Sequence, residues 1–232
     1  MIGTINNVDK INIGASFEEM IPDWFGVTLW HGRPSELWKV GVQAGIDIYE
    51  HSVYKGKAIL WDVNKGLPFE DNSISNVFCS HFIEHLTYEE AINFFVEVNR
   101  VMKPEGVVRF ICPDLSIWVE KLYKGDDTNF FGLYRKTLKN QGRDNIMYKE
   151  RKNMITNAQV FNSMFYNWEH KWMWDYESLQ LELVNANFKS IKKVTKGEGN
   201  LYELQVIENR LPDSDYSDAR DLESLYVEAV KK

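Results

Sequence analysis

The stretch from Lys57 to Leu115 constrains the fold most, because its apolar runs alternate between strand and helix patterns. The Thr-x-x-Glu capping pattern at Thr87 predicts the start of a helix, which Pro104 and Gly106 end. Three apolar runs around this helix predict strands: Lys57–Val63, Ile74–Ser80 and Val107–Cys112. Polar residues follow the ends of these strands, and an open α/β sheet binds its ligand at that edge.

The rest of the chain extends this pattern into an α/β fold. Strands that alternate with helices predict a doubly wound, mostly parallel sheet, to which the late strands add an antiparallel edge. No linker divides residues 1–232, so we expect a single domain with insertions at about 17–34 and 125–167, the second acting as a lid. The further predicted strands are Lys10–Gly14, Ile46–Tyr49, Phe188–Thr195, Leu201–Ile207 and Ser224–Ala229.

Charge and cysteine usage limit the partners and the compartment. The chain has 34 acidic and 27 basic residues, a net charge of −7, and no basic stripe, which disfavours nucleic acid as a partner. Cys79 and Cys112 each lie in an apolar run and are expected to be core residues, which fits a reducing cytoplasm. No run approaches the ~20 apolar residues of a membrane span, and Met1–Asn7 lacks a leader pattern. The sequence does not specify an oligomeric state.

Three segments in the order Asp62–Ser73, Ser80–Leu86 and Asn99–Gly106 carry a family resemblance. Together they resemble the class I S-adenosylmethionine-dependent methyltransferases of the type 11 kind. Glu169–Tyr176 and Arg220–Ala229 look like a bacterial subgroup associated with surface-glycan biosynthesis. The resemblance implies a Rossmann-like, seven-stranded sheet with an antiparallel last strand, and S-adenosylmethionine as the cofactor.

The resemblance also implies a cofactor site at the strand ends. The loop Gly14–Ala15 would lie under the methionine part, Asp47 would take the ribose hydroxyls, and Ser80 with His81 would face the sulfonium and the substrate. Asp62 and Val63 would flank the adenine. Thr28 is an alternative to Asp47 but lacks the carboxylate that suits a vicinal diol.

Methyl transfer to a hydroxyl needs an aligned acceptor and a group that removes its proton. His81 and His170 are the candidate bases, because histidine titrates near neutral pH. Asp114 is a third candidate that would orient the base or the acceptor. The structural alternatives are that His170 packs on Trp172 and that Asp114 caps the helix that begins near Ser116.

The segment His81-x-x-Glu84-His85 also fits a zinc-peptidase pattern. That pattern needs both imidazoles on one helix face, whereas His81 follows directly on a predicted strand. We therefore expect no metal site, and we expect Glu84 and His85 to fix the turn by hydrogen bonds.

The sequence leads to one main hypothesis and two alternatives. The main one is an S-adenosylmethionine-dependent methyltransferase that methylates a hydroxyl of a small molecule or a glycan. The first alternative is a catalytically inactive methyltransferase-like module that acts through a protein partner, because Ala15 and Ser16 replace the family's Gly-x-Gly pattern after Gly14. The second, a nicotinamide-dependent dehydrogenase, lacks the Gly-x-Gly-x-x-Gly loop.

Overall fold

A computed structural model gives the arrangement of most of the chain. It describes residues 4–14, 23–29, 48–50, 57–125, 129–140, 156–166, 169–200, 203, 208 and 215–232. Within those ranges, no helix combines the length and the apolar character that crossing a membrane requires.

The described strands form one mixed sheet. In chain order they are β1 (Lys10–Ile13), β2 (Phe25–Leu29), β3 (Ile48–Glu50), β4 (Lys57–Trp61), β5 (Ile74–Ser80), β6 (Met102–Pro113), β7 (Phe188–Val194) and β8 (Ser224–Lys231). Their order across the sheet is β3-β4-β2-β1-β5-β6-β8-β7. Strands β4, β2, β1, β5 and β6 are parallel to one another, whereas β8 runs antiparallel to both β6 and β7, and β3 runs antiparallel to β4.

The parallel centre of the sheet is buried because its strands are almost wholly apolar. Ile11, Val27 and Ile59 lie on the three adjacent strands β1, β2 and β4, and each is fully buried. Strands buried on both faces lose the apolar and polar alternation of an exposed sheet, as is typical of parallel sheets covered by helices. Without β3, the order β4-β2-β1-β5-β6-β8-β7 with an antiparallel β8 confirms the expected seven-stranded class I fold.

The second strand differs from the sequence expectation. Phe25–Leu29, inside the segment expected to be an insertion, is the strand next to β1, with Ile11 paired to Phe25. The predicted second strand at Ile46–Tyr49 instead contributes to β3, a short antiparallel edge strand outside the seven-stranded order. Gly26 and Thr28 interrupt the apolar pattern of β2, so backbone pairing with β1 and β4 determines this strand more than its side chains do.

Helices cover the sheet and connect its strands. They are α1 (Tyr88–Val101), α2 (Leu115–Lys124), α3 (Phe130–Asn140), α4 (Asn157–Tyr166), α5 (Tyr176–Asn185) and α6 (Asp215–Glu223). The capping box predicted at the start of α1 is confirmed: Glu90 N donates to Thr87 Oγ1 at 3.3 Å, and Thr87 N donates to Glu90 Oε2 at 2.8 Å. The predicted last strand is confirmed as β8, whereas the predicted strand Leu201–Ile207 lies outside the described residues except for Glu203.

Helices α3 and α4 fall within the insertion predicted at 125–167 and build a second apolar cluster with α2. Trp118 is its centre: the ring packs edge-on against Phe130 and Tyr134, with centroids 4.7 and 4.6 Å away. Because this cluster contains buried aromatic rings, the described part of the insertion is packed onto α2 and is not a solvated loop. Its role as a lid stays a prediction.

Candidate functional site

The carboxyl ends of four parallel strands bring most of the predicted site residues to one edge of the sheet. Gly14 follows β1, Asp62 follows β4, His81 follows Ser80 at the end of β5, and Asp114 follows β6. Neighbouring parallel strands end at the same edge, which is where this class of sheet binds ligands. Two predicted cofactor residues, Ala15 and Asp47, lie outside the described residues.

Gly14 occupies a conformation and a space that favour glycine. Its φ is +86°, and its N–H donates to the Val27 carbonyl at 2.9 Å. A Cβ at this position would lie 3.1 Å from the Phe82 Cβ. The chain therefore turns directly over Phe82 with no side chain of its own, which leaves its backbone accessible to a ligand.

A short 3₁₀ turn, Val63–Lys65, follows β4, and Asp62 lies at its N-cap position. Asp62 Oδ1 accepts a hydrogen bond from Asn64 N at 3.1 Å, so the carboxylate caps this turn. Val63 is 3% exposed and packs in the main core. Trp61 Nε1 donates to the Gly66 carbonyl at 2.6 Å and closes the turn from the other side.

The strand next to β1 supplies no carboxylate within its own bounds. In β2, Thr28 pairs with Leu60 of β4, three positions after the pairing of Phe25 with Lys57. Ile48, the first residue of β3, pairs with Ile59, so β3 begins opposite the middle of β4 and runs towards its amino end.

Hydrogen bonds fix the His81 ring in one tautomer. Its backbone has φ +49°, and its N–H donates to the Ile111 carbonyl at 2.8 Å. The Ser224 hydroxyl donates its one proton to the Arg220 carbonyl, so it accepts from His81 Nε2, 3.1 Å away. His81 Nδ1 is therefore the ring nitrogen with the free lone pair, and it lies 3.4 Å from Glu84 Oε1.

Burial shifts the protonation of this pair. Burial, and next the charge of Arg220, hold the pKa of His81 well below its ordinary value. Burial raises the pKa of Glu84 to about 8. At neutral pH both groups are therefore uncharged, because a low-dielectric environment disfavours an imidazolium and a carboxylate alike.

His170 lies beside His85. Their ring centroids are 4.8 Å apart at an interplanar angle of 71°. Lys171 N donates to the Glu84 carbonyl at 2.8 Å, which ties the segment after α4 to the turn after β5. Burial first, and then the neighbouring His85, lower the pKa of His170 to about 3.

Asp114 is fully buried and acts as the N-cap of α2. Its Oδ1 accepts from Ser116 N at 3.0 Å, and its Oδ2 accepts from Lys193 Nζ at 2.9 Å. The capping alternative for this residue is therefore present in the structure. Its proposed role in orienting a base stays a prediction.

Sequence reasoning missed three partners of His81. Glu84 was expected to fix the turn, but neither of its carboxyl oxygens forms a hydrogen bond among the described residues. Ser224 and Arg220 come more than 130 positions after His81 and carry no motif that would have linked them to it.

Comparison with known proteins identifies part of this region. Residues 35–110, about a third of the chain, match the family described as "Methyltransferase domain". The matched segment includes β4, β5 and α1, and with them Asp62 and His81. No curated protein matches the chain. The predicted glycan-biosynthesis subgroup finds no support in these comparisons.

Several solved structures are similar at low identity. Phosphoethanolamine N-methyltransferase 2 of Haemonchus contortus, in complex with S-adenosyl-L-methionine, is 12% identical with a TM-score of 0.48; the match covers 100% of this chain and 50% of that one. A SAM-dependent methyltransferase of Archaeoglobus fulgidus is 14% identical, with a TM-score of 0.48 and coverage of 97% and 87%. A possible histamine N-methyltransferase of Thermotoga maritima is 14% identical, with a TM-score of 0.49 and coverage of 98% and 84%.

This chain thus spans half the length of the Haemonchus protein. Residues 35–110 carry the pattern of a methyltransferase domain within a sheet that has the strand order of the class I methyltransferase fold.

Proposed function

We propose that this protein is an S-adenosylmethionine-dependent methyltransferase that methylates a hydroxyl group of a small molecule or a glycan. The observation that carries the proposal is the convergence of Gly14, Asp62 and His81 at the carboxyl edge of a class I sheet, with the last two inside the segment that matches the methyltransferase family. Three of the similar structures are of proteins named as methyltransferases.

The residues at this edge fit the cofactor. Gly14 has no Cβ and a positive φ, so the chain passes directly over Phe82 and leaves its backbone open to the methionine part of a ligand. Asp62 supplies a partly exposed carboxylate at the end of β4, which is separated from β1 by β2, on the side assigned to the adenine. Ser80 is the last residue of β5 and directly precedes His81 in the chain. Asp47 remains the proposed ribose ligand.

The cofactor supplies an activated methyl group, and the protein's residues would align the acceptor and remove its proton. His81 is the proposed base, because the tautomer fixed by Ser224 leaves Nδ1 as a proton acceptor. Glu84 Oε1 lies 3.4 Å from Nδ1, so the carboxyl group of Glu84 is next to the nitrogen that would take the proton. His170 is the alternative base of the same region.

An exposed aromatic pair next to this region supports a ring-shaped acceptor. Trp172 is 40% exposed, and its ring lies 4.8 Å from that of Tyr88. Trp174, by contrast, is fully buried and belongs to the main core. Exposed aromatic faces stack on sugars and other flat or ring-shaped molecules. No feature of the described residues favours the catalytically inactive alternative.

Calorimetric titration with S-adenosylmethionine and with S-adenosylhomocysteine tests the proposal. It is done in EDTA, and we expect micromolar dissociation constants, which correspond to roughly −8 kcal/mol. Transfer of a labelled methyl group is then followed on sugars, sugar nucleotides and phenols. If neither S-adenosylmethionine nor S-adenosylhomocysteine binds, the proposed function is refuted.

Two variants separate binding from catalysis. His81→Asn should leave the affinity for S-adenosylhomocysteine within about threefold and slow methyl transfer by roughly 10²–10⁴, the range for loss of a general base. Asp47→Ala should instead abolish cofactor binding. A His81→Asn protein with wild-type transfer rates would exclude His81 as the base and direct attention to His170.

A further inference from the structure

Three side chains that could bind a metal ion converge beside the proposed transfer site. Glu84, His85 and His170 each offer one ligand atom, and these atoms all lie within 4.8 Å of one another. Two atoms bound to the same ion at about 2.1 Å lie up to about 4.2 Å apart. Side-chain rotations that move the ligand atoms by less than about 1 Å would therefore close the set around one ion.

The buried carboxyl group of Glu84 is an independent observation that points to a ligand here. Glu84 is 1% exposed, and neither of its oxygens has a hydrogen-bond partner among the described residues. A buried carboxyl group without hydrogen-bond partners is unfavourable when it is ionised, and when it is protonated it leaves a donor and an acceptor unused. A bound cation would offset the charge of the ionised carboxyl group and would give its oxygens a partner.

The backbone holds the three residues together without help from the side chains. Glu84 and His85 lie in a 3₁₀ turn, Ile83–His85, directly after β5. The Glu84 carbonyl accepts hydrogen bonds from Lys171 N at 2.8 Å and from Trp172 N at 3.3 Å. These bonds hold the segment that carries His170 against the turn, so the backbone structure brings the three residues close together.

We infer that Glu84, His85 and His170 form a binding site for a divalent transition-metal ion. The zinc-peptidase pattern in the sequence would have used His81 and His85, and the structure assigns a different set. His81 Nε2 is hydrogen-bonded to Ser224, and His170 supplies the second imidazole.

The donor set defines the class of ion. Two imidazole nitrogens and one carboxylate are ligands of zinc and of its first-row neighbours, whereas Mg²⁺ and Ca²⁺ favour oxygen ligands alone. Three protein ligands leave at least one coordination position open, which is typical of catalytic and not of structural zinc sites. The open position is available to a water molecule or to an oxygen of the acceptor.

The site's use in catalysis rests on the proposed function. An ion held by these three residues would supply Lewis acidity to the acceptor hydroxyl, and His81 would remain the residue that takes the hydroxyl proton. Glu84 would then connect the ion to the proposed base, because its Oε1 lies 3.4 Å from His81 Nδ1 and its carboxyl group belongs to the metal cluster.

Metal titration of the full chain tests the site without cofactor or substrate. Protein stripped with EDTA and then freed of it is titrated with Zn²⁺ in competition with a chromophoric chelator, and with Co²⁺ followed by its visible absorption. We expect one equivalent of Zn²⁺. Glu84→Gln, His85→Asn and His170→Asn should each weaken Zn²⁺ binding at least about 100-fold, since even partners outside a ligand set change metal affinity by 10–100-fold.

Glu182→Gln is the matched control, because it also replaces a carboxyl group that is nearly fully buried, at 7% exposure. It should retain one equivalent of Zn²⁺ with wild-type affinity. Circular dichroism of every variant establishes that it is folded. Substoichiometric binding to the wild type, or wild-type affinity in any of the three ligand variants, would overturn the site. The result is independent of the cofactor titration, which contains EDTA, so each proposal can be refuted while the other stands.

Discussion

Replacing Glu223 with Gln should make the protein more stable at alkaline pH. Glu223 ends α6, is 4% exposed, and accepts a hydrogen bond from Trp118 Nε1 at 2.9 Å. Burial raises its pKa to about 7 from 4.5, although hydrogen bonds from Tyr134 and Trp118 and the charge of Arg220 act in the opposite direction. Gln keeps the shape and the acceptor oxygen but cannot ionise.

The sign and size of the effect follow from linkage. The folded state holds the Glu223 proton more tightly than the unfolded chain does, so ionisation destabilises the fold as pH rises from about 4.5 to 7, with no further change above that. A shift of this size corresponds to roughly 1 kcal/mol at pH 5 and about 3 kcal/mol at pH 8. Glu223→Gln removes this cost, so its advantage over the wild type should grow by about 2 kcal/mol over this interval.

Urea unfolding of the two proteins at pH 5, 6, 7 and 8, in EDTA, measures this difference. Comparison of the pair cancels the other titrating groups, which both proteins share. A difference in unfolding free energy that stays constant from pH 5 to 8 would refute the reasoning.

Substitutions at three further positions test the packing around the sheet. Arg109→Met should lower the free energy of unfolding by about 3–5 kcal/mol, because it leaves the buried carboxylates of Glu208 and Glu228 without their cationic partner. A loss below about 1 kcal/mol in urea unfolding would contradict this. Gly14→Ala should lower the free energy of unfolding by about 1–2 kcal/mol, because position 14 has a φ of +86°. A free energy of unfolding equal to that of the wild type would contradict this. Thr87→Ala should cost about 1 kcal/mol through loss of the capping box, whereas Thr87→Ser should cost less, and equal thermal midpoints for all three proteins would argue against the cap.

The sequence predicts best where the local signals and the tertiary structure agree. Thr87 begins α1 with a capping box, and the apolar runs on either side of this helix are β5 and the main part of β6, as expected. The N-cap role of Asp114 could also be predicted from the sequence, since Ser116 follows two positions later. Each of these features depends on residues a few positions apart.

The remaining features depend on contacts between distant parts of the chain. β2 has only five residues, interrupted by Gly26 and Thr28, and its place in the sheet comes from pairing with two other strands. His170 meets His85 only because the backbone after α4 binds the Glu84 carbonyl. Burial of the Glu84 carboxyl group has no signature in the sequence, because glutamate is usually exposed.

The position of β8 determines when the site forms during synthesis. β8 lies between β6 and β7 in the sheet, although it comes last among the described strands, and its first residue, Ser224, holds the His81 ring. A ribosome that adds 5–20 residues per second needs on the order of ten seconds to advance from β6 to β8. Throughout that interval the nascent chain exposes the open edge of β6, and His81 lacks the hydroxyl that selects its tautomer. Chaperones that protect unpaired strands would therefore act on this protein mainly in this interval.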